Sequence, residues 1–173
     1  MPHVVAVLAL PPVVGFDLAI PPEVFGTAER DGEPLYDVRV CGLEPGPVAT
    51  TAGYALHVEH GVEALAAADT VVVPGTHYLP ARRDGVLPIE VHAALGQVPD
   101  GARWMSICTG AFVLAAAGRL DGRRATTHWA RADSLRALHP GVEVDEDVLF
   151  VEDRKSTRLN SSHSGESRMP SSA

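Results

Sequence analysis

Arg103-Trp104-Met105-Ser106-Ile107-Cys108-Thr109-Gly110-Ala111-Phe112-Val113-Leu114-Ala115-Ala116-Ala117-Gly118 is the stretch that decides the fold. Arg103 to Ile107 has the length and apolar content of a strand, whereas Thr109 to Ala117 is built from good helix formers and ends at Gly118, a residue suited to a left-handed cap. No linker separates the two. The chain must pass from strand to helix within a residue or two, so Cys108 is expected on a tight elbow at the helix N-terminus. A thiol there is exposed by the turn, and unpaired amides and the helix dipole stabilise its thiolate. Gly110 lets the backbone approach its neighbours closely. The plainer alternative is that Cys108 is a small buried apolar residue.

Working outward, the same strand-and-helix alternation repeats. Val4 to Leu10 is a continuous apolar run ended by Pro11-Pro12, as expected of a first strand covered on both faces. Asp17 to Arg30 reads as a loop and helix, with Pro21-Pro22 in its first turn and Glu23 complementing its dipole. Tyr36 to Cys41 alternates as a strand. Val48 to Thr51 and Tyr54 to Val58 flank Ala52-Gly53 as a hairpin, and a short helix covers Val62 to Ala67. Thr70-Val71-Val72-Val73-Pro74-Gly75 is a second strongly apolar strand running into a glycine turn, the place where open α/β sheets carry site residues. Leu87 to Leu95 and Ser134 to Leu138 give further helices. The pattern predicts an α/β fold, a three-layer sandwich around a mostly parallel sheet.

Composition narrows the function classes. The 173 residues carry a net charge of -8, with 46% hydrophobic and 21% charged residues, which suits one soluble domain. No apolar run approaches the roughly 18 to 20 residues of a membrane span, and Met1-Pro2-His3 lacks the basic start of a signal peptide, so a cytoplasmic location is expected. Cys41 and Cys108 cannot form a disulfide framework, and no ligand spacing suggests a metal or another cofactor. The acidic balance argues against this segment gripping nucleic acid by itself.

The C-terminus has a different composition. Residues 1–152 hold 10 of the 14 Lys plus Arg and 20 of the 22 Asp plus Glu, while the remainder holds Lys155, Asn160 and seven of the nine serines. Such a segment reads as a disordered tail. A sharper reading is available. Asp153 to His163 (DRKSTRLNSSH) and Ser167 to Ala173 (SRMPSSA) resemble, in one frame, a translated sequencing-library adapter on either side of its index. On this reading the natural gene is cut near Glu152 and residues 153–173 are non-native.

Ser106 to Trp129, SICTGAFVLAAAGRLDGRRATTHW, together with Phe16-Asp17-Leu18 and Glu23-Val24-Phe25, resembles the PfpI-like, class I glutamine-amidotransferase-like superfamily. Within it the sequence is most similar to the N-terminal domain of AraC/XylS-type transcriptional regulators, and the isocyanide hydratases are similar. The resemblance spans residues 3–152. It implies a flavodoxin-like domain, incomplete at its C-terminal end, with a helix-turn-helix domain absent from the chain as written. It also implies roles for single residues: Cys108 as nucleophile, Thr109 after it, and Asp17 as the acidic group that faces the thiol and moves a proton. Asp17 can equally be read as a helix N-cap. The amides of Gly75 and Thr109 are candidate oxyanion donors. The family often has two glycines where this chain has Gly75-Thr76.

Glutamine amidotransferase chemistry is poorly supported, because no His-x-Glu follows Cys108. His57-Val58-Glu59 precedes it in a hairpin. His128 is the nearby downstream candidate, and a hydrogen bond to backbone beside the site is the favoured reading for it. His77 can line the pocket from its loop, and His60 and His92 have no ligand spacing. Arg82-Arg83 and Arg123-Arg124 read as solvated turns, and Cys41 as core. Two functions remain. One is a sensor domain that binds a small-molecule effector without turnover, contacts DNA only through the helix-turn-helix domain, and forms a possible homodimer. The other is a hydratase or small-amide hydrolase using Cys108 and Asp17. Oxidation of Cys108 as a stress signal is a third possibility.

Overall fold

The computed structural model describes residues 1–153 and 156–159. The chain opens with β1 (His3–Leu8), and a Pro11-Pro12 segment with a cis peptide leads into α1 (Gly15–Gly26). The helix starts two residues before Asp17, with Val14 at the cap and Leu18 N–H donating to the Val14 carbonyl at 3.0 Å. This corrects two expectations. Asp17 lies in the first turn rather than at the N-cap, and Pro21-Pro22 lie inside the helix rather than in its first turn. The prolines fit helical φ but bring no N–H for the carbonyls four residues back. Pro21 is buried, so its ring serves packing instead.

A small antiparallel pair, β2 (Glu29–Arg30) and β3 (Glu33–Pro34), stands where the sequence pattern predicts the end of a helix. Asp31 and Gly32 both have positive φ, 55° and 82°, as the two central residues of a tight primed turn require. The chain then returns through β4 (Tyr36–Cys41) beside β1, makes the expected hairpin β5 (Gly46–Ala49) and β6 (Ala55–Val58), and crosses by α2 (Glu63–Ala66) to β7 (Thr70–Val73). A π-helical turn, Pro80–Asp84, and α3 (Ile89–Leu95) precede β8 (Arg103–Ile107). Then come a 3-10 turn, Cys108–Gly110, and α4 (Ala111–Ala116), which Gly118 closes with φ 70°. The short β9 (Arg124–Ala125) pairs in parallel with β10 (Glu143–Val144) across α5 (Ala132–Leu138).

The main sheet runs in the order β11-β12-β8-β7-β1-β4, where β11 is Phe150–Asp153 and β12 is Ser156–Leu159. Its strands are parallel from β4 through β12, and β11 alone is antiparallel. The segment set apart by composition thus supplies backbone to the sheet at Asp153 and over Ser156–Leu159; the rest of it lies outside the described residues.

Strand alternation divides the core in two. Val5, Val7 and Val72 pack on one face with Leu18 of α1 and with Val48 and Val58 of the hairpin. Ala6, Leu8, Val71 and Val73 pack on the other with Leu65, Val91, Phe112 and Leu135 from the remaining helices. With both faces covered, β1 and β7 need apolar residues at every position, which is why they read as continuous runs rather than alternating ones. The fold is therefore the expected three-layer α/β sandwich. Its central strands β1, β7 and β8 all end on the same side, where the loops after them converge.

Candidate active or ligand site

Three strand ends build the site. After β1, Val13 N–H donates to the Ala49 carbonyl, Val14 N–H to the Gly75 carbonyl at 2.7 Å, and His77 N–H to the Pro12 carbonyl at 2.9 Å. After β7, the buried Thr76 hydroxyl donates to the Leu10 carbonyl at 2.7 Å and accepts from Tyr78 N–H at 3.0 Å. After β8, the Thr109 hydroxyl donates to the Thr76 carbonyl at 2.9 Å and accepts from Thr76 N–H at 3.0 Å. The two threonines lock the loops of neighbouring strands together through direct hydrogen bonds.

Cys108 sits at the junction with φ 53°, in the left-handed region that a side chain with a Cβ rarely adopts. The conformation is held from outside the turn: the buried Thr127 hydroxyl donates to the Cys108 carbonyl at 2.9 Å. Gly110 explains how the helix fits. A Cβ there would penetrate the Val73 carbonyl oxygen and stand 2.8 Å from that of Pro74, so α4 can begin against the end of β7 only over glycine. Gly75 has the same steric role, since a Cβ on it would overlap the Asp17 carboxylate. Neither Gly75 nor Thr76 has a positive φ, so the turn tolerates threonine where a second glycine was the family expectation.

The result is a cleft of about 350 Å³. It gathers Asp17, His77, Cys108, Thr109 and His128 of the residues singled out from sequence. Gly75, Thr76 and Gly110 stand behind that lining, where they position it. Asp17, 2% exposed, comes in from the first turn of α1, and Cys108, 8% exposed, from the β8 turn. His128 accepts from Ala130 N–H through Nδ1 at 3.2 Å, capping the 3-10 turn Trp129–Arg131, and its ring stacks on Trp129. The cleft side of His128 remains beside Asp17, which acts on it as a negative charge.

Sequence reasoning missed Thr51 and two arginines. Thr51 arrives from the β5–β6 turn. Arg82 and Arg131 line the same cleft, so the solvated-turn expectation holds for Arg83, which pairs with Asp84 at 2.7 Å, and fails for Arg82. The reason is the π-helical turn: five residues close on the Pro80 carbonyl, with Gly85 in the left-handed region, and Arg82 is turned inward while its neighbour faces water. No spacing in the sequence signals a π turn. Burial and then the Arg131 charge lower the Arg82 pKa, offset by Cys108. His77 is held below the ordinary histidine range by burial, Arg82 and Arg131. His128 is lowered by burial and Arg131, with Asp17 opposing. Both imidazoles are therefore neutral near pH 7.

The sequence profile of the DJ-1/PfpI family matches residues 4–163. An uncharacterized protein in the cpoL 5′ region of Streptomyces lividans is 40% identical over 139 residues, which span 80% of this chain and 96% of that protein. The HTH-type transcriptional regulator CdhR of Pseudomonas aeruginosa is 33% identical over 81% of this chain and 40% of its own length. Isonitrile hydratase of Pseudomonas putida is 33% identical over 76% of this chain and 54% of its own. The chain thus spans about half or less of these two named relatives. Among solved structures, a THiJ/PfpI family protein from Pseudomonas syringae superposes with a TM-score of 0.77 at 23% identity, covering 92% of this chain and 63% of that one. An AraC family transcriptional regulator from Pseudomonas putida superposes with a TM-score of 0.70 at 21% identity, covering 92% and 84%. At these identities the structures speak for the fold.

Proposed function

Because the chain belongs to the DJ-1/PfpI family, we propose that it is the ligand-sensing domain of an AraC-type transcriptional regulator, with the Cys108 cleft as its effector site. The observation that carries this reading is the match to CdhR, which is 33% identical to this chain yet accounts for only 40% of its own length here, leaving room for a separate DNA reader. A second HTH-type regulator, GbdR of Pseudomonas aeruginosa, matches in the same way over 34% of its length. The net charge of -8 agrees with a division of labour in which this part does not grip DNA. Effector binding in the cleft would tie together the loops after β1, β7 and β8, and this differential binding would bias the arrangement of a dimer or of the DNA-binding domains.

A second reading is a cysteine-dependent isonitrile hydratase, favoured by Asp17 and Cys108 lining one cleft. The Cys108 sulfur would add to the terminal isocyanide carbon while Asp17 delivers a proton to that carbon. Water would then add and expel the thiolate, leaving a formamide.

One experiment separates them. The purified protein is incubated with an aliphatic isocyanide and, separately, screened by thermal shift against small metabolites. The sensor reading predicts no formamide and a melting-temperature rise of about 5 to 10 °C at saturating effector, retained in Cys108→Ala. Formamide release that vanishes in Cys108→Ala would establish the enzyme instead. A genomic read beyond codon 152 provides an independent arm, because the sensor reading requires a helix-turn-helix frame there. It also decides whether residues 153–173 are native.

A further inference from the structure

The Cys108 cleft holds two arginines, Arg82 and Arg131, against one carboxylate, Asp17. Elsewhere Arg39 pairs with Asp37, Arg83 with Asp84, Arg124 with Asp145, and Arg136 with Asp133 and Glu146. Arg82 and Arg131 have no carboxylate partner among the described residues, yet they come from different elements into one cleft. Arg82 lies on the π turn packed against α4, and Arg131 on the 3-10 turn that His128 caps. They are near enough for each to act on His77 and His128 as a positive charge. The Arg82 Nε is buried and has no hydrogen-bond partner among the described residues.

Leaving a guanidinium nitrogen dry and unpaired is costly, and placing a second cation across from it adds repulsion. Both costs are relieved by an anion between them, since a guanidinium fork matches a carboxylate in shape as well as in charge. The neutral imidazoles of His77 and His128 and the Thr51 hydroxyl can then meet the uncharged part of the same molecule.

We propose that the cleft takes a small organic carboxylate, its charged end held between Arg82 and Arg131 and its other end toward Cys108. This rests on the reading of the cleft as a small-molecule site and adds the chemical class of what enters it. Arg82 then weighs most in specificity, because an uncharged ligand leaves its buried Nε without a partner.

Cys108 supplies its own probe. Iodoacetate and iodoacetamide have nearly the same shape, and in both the thiolate sulfur displaces iodide; only the first carries a carboxylate. Their alkylation rates at Cys108 are measured by peptide mass spectrometry and expressed as a ratio, with N-acetylcysteine as reference. The proposal predicts a ratio roughly tenfold or more above the reference at low salt, falling as salt is added. Arg82→Gln and, separately, Arg131→Gln should each return most of that preference. Arg83→Gln, which alters an exposed ion pair, should leave it in place. Two independent variants guard against one of them misfolding, and the iodoacetamide rate reports whether the cleft is intact. A ratio at or below the reference, or one unmoved by both glutamine variants, overturns the carboxylate assignment. If uncharged metabolites nevertheless raise the melting temperature, the sensor reading stands without it. If neither reagent reaches Cys108, the cleft is closed to small molecules and both fall.

Discussion

The two cysteines each close a parallel strand at the same side of the sheet, Cys41 at the end of β4 and Cys108 just after β8, and both are buried. Their surroundings differ completely. Cys41 keeps ordinary strand backbone, and its Sγ donates to the Val7 carbonyl of the adjacent strand at 3.6 Å. Burial, helped by Glu63, pushes its thiol up to about 12. Cys108 is bent to φ 53°, has its carbonyl tied by Thr127, and faces a cleft with Arg82. A strand end is therefore not enough to make a site. The next few residues make the difference: β4 ends with Cys41 in a parallel bridge to His60, whereas β8 turns at once into a helix whose first residues pack on β7.

The largest expected consequence is in thiol reactivity. At pH 8 a thiol of pKa about 12 is ionised to roughly one part in 10⁴, against about a tenth for a cysteine at the ordinary value of 9.0. Iodoacetamide should therefore label Cys41 about 1000-fold more slowly in the folded protein than in concentrated guanidinium, with Cys108, which lines the cleft, labelled first in the native state. Comparable rates in the native state would break the contrast at its root.

A smaller effect sharpens the backbone half of the comparison. Valine is at ease in extended strand but not at positive φ, where its β-branch meets the backbone. Cys41→Val should change unfolding free energy by no more than about 1 kcal/mol, while Cys108→Val should cost about 2 to 3 kcal/mol. Paired urea titrations measure both. Equal costs would mean that the left-handed turn at Cys108 does not persist in solution.

Much of this is legible in the sequence, for physical reasons that also explain the gaps. β1, β7 and β8 announce themselves because strands buried on both faces must be apolar throughout, and Arg103–Ile107 runs into good helix formers with no residue to spare for a linker. That arithmetic alone places Cys108 on a turn. Asp17 and His128 are recoverable only through resemblance, since nothing local says that α1 aims its first turn at the end of β8. Asp31-Gly32 is a readable hairpin signal, but Pro21-Pro22 masks it by suggesting a later helix start. Arg82 has no local signal. Adjacent arginines look equivalent in sequence, and only a five-residue turn closed on Pro80 sends one inward and one outward.

The smallest effect concerns alkaline stability, and it isolates Cys41. Because its folded pKa lies above its unfolded one, the native state holds the thiol proton more tightly, and this contribution is complete below pH 9, the ordinary value. As pH rises from there towards about 12, the unfolded chain loses the proton first, so stability drains away across that window. Between pH 9 and pH 10 the loss attributable to Cys41 is about 1 kcal/mol, or roughly 3 °C in melting temperature. Half-buried Tyr78, raised by burial and by Glu90, contributes in the same direction, so the decisive quantity is the difference between wild type and Cys41→Ala across the two pH values. The variant begins less stable because it leaves a small void, but its curve should be flatter by that amount. A parallel decline in both proteins would show that Cys41 ionises freely in the folded state, and the distinction between a sealed thiol and a presented one would then rest on Cys108 alone.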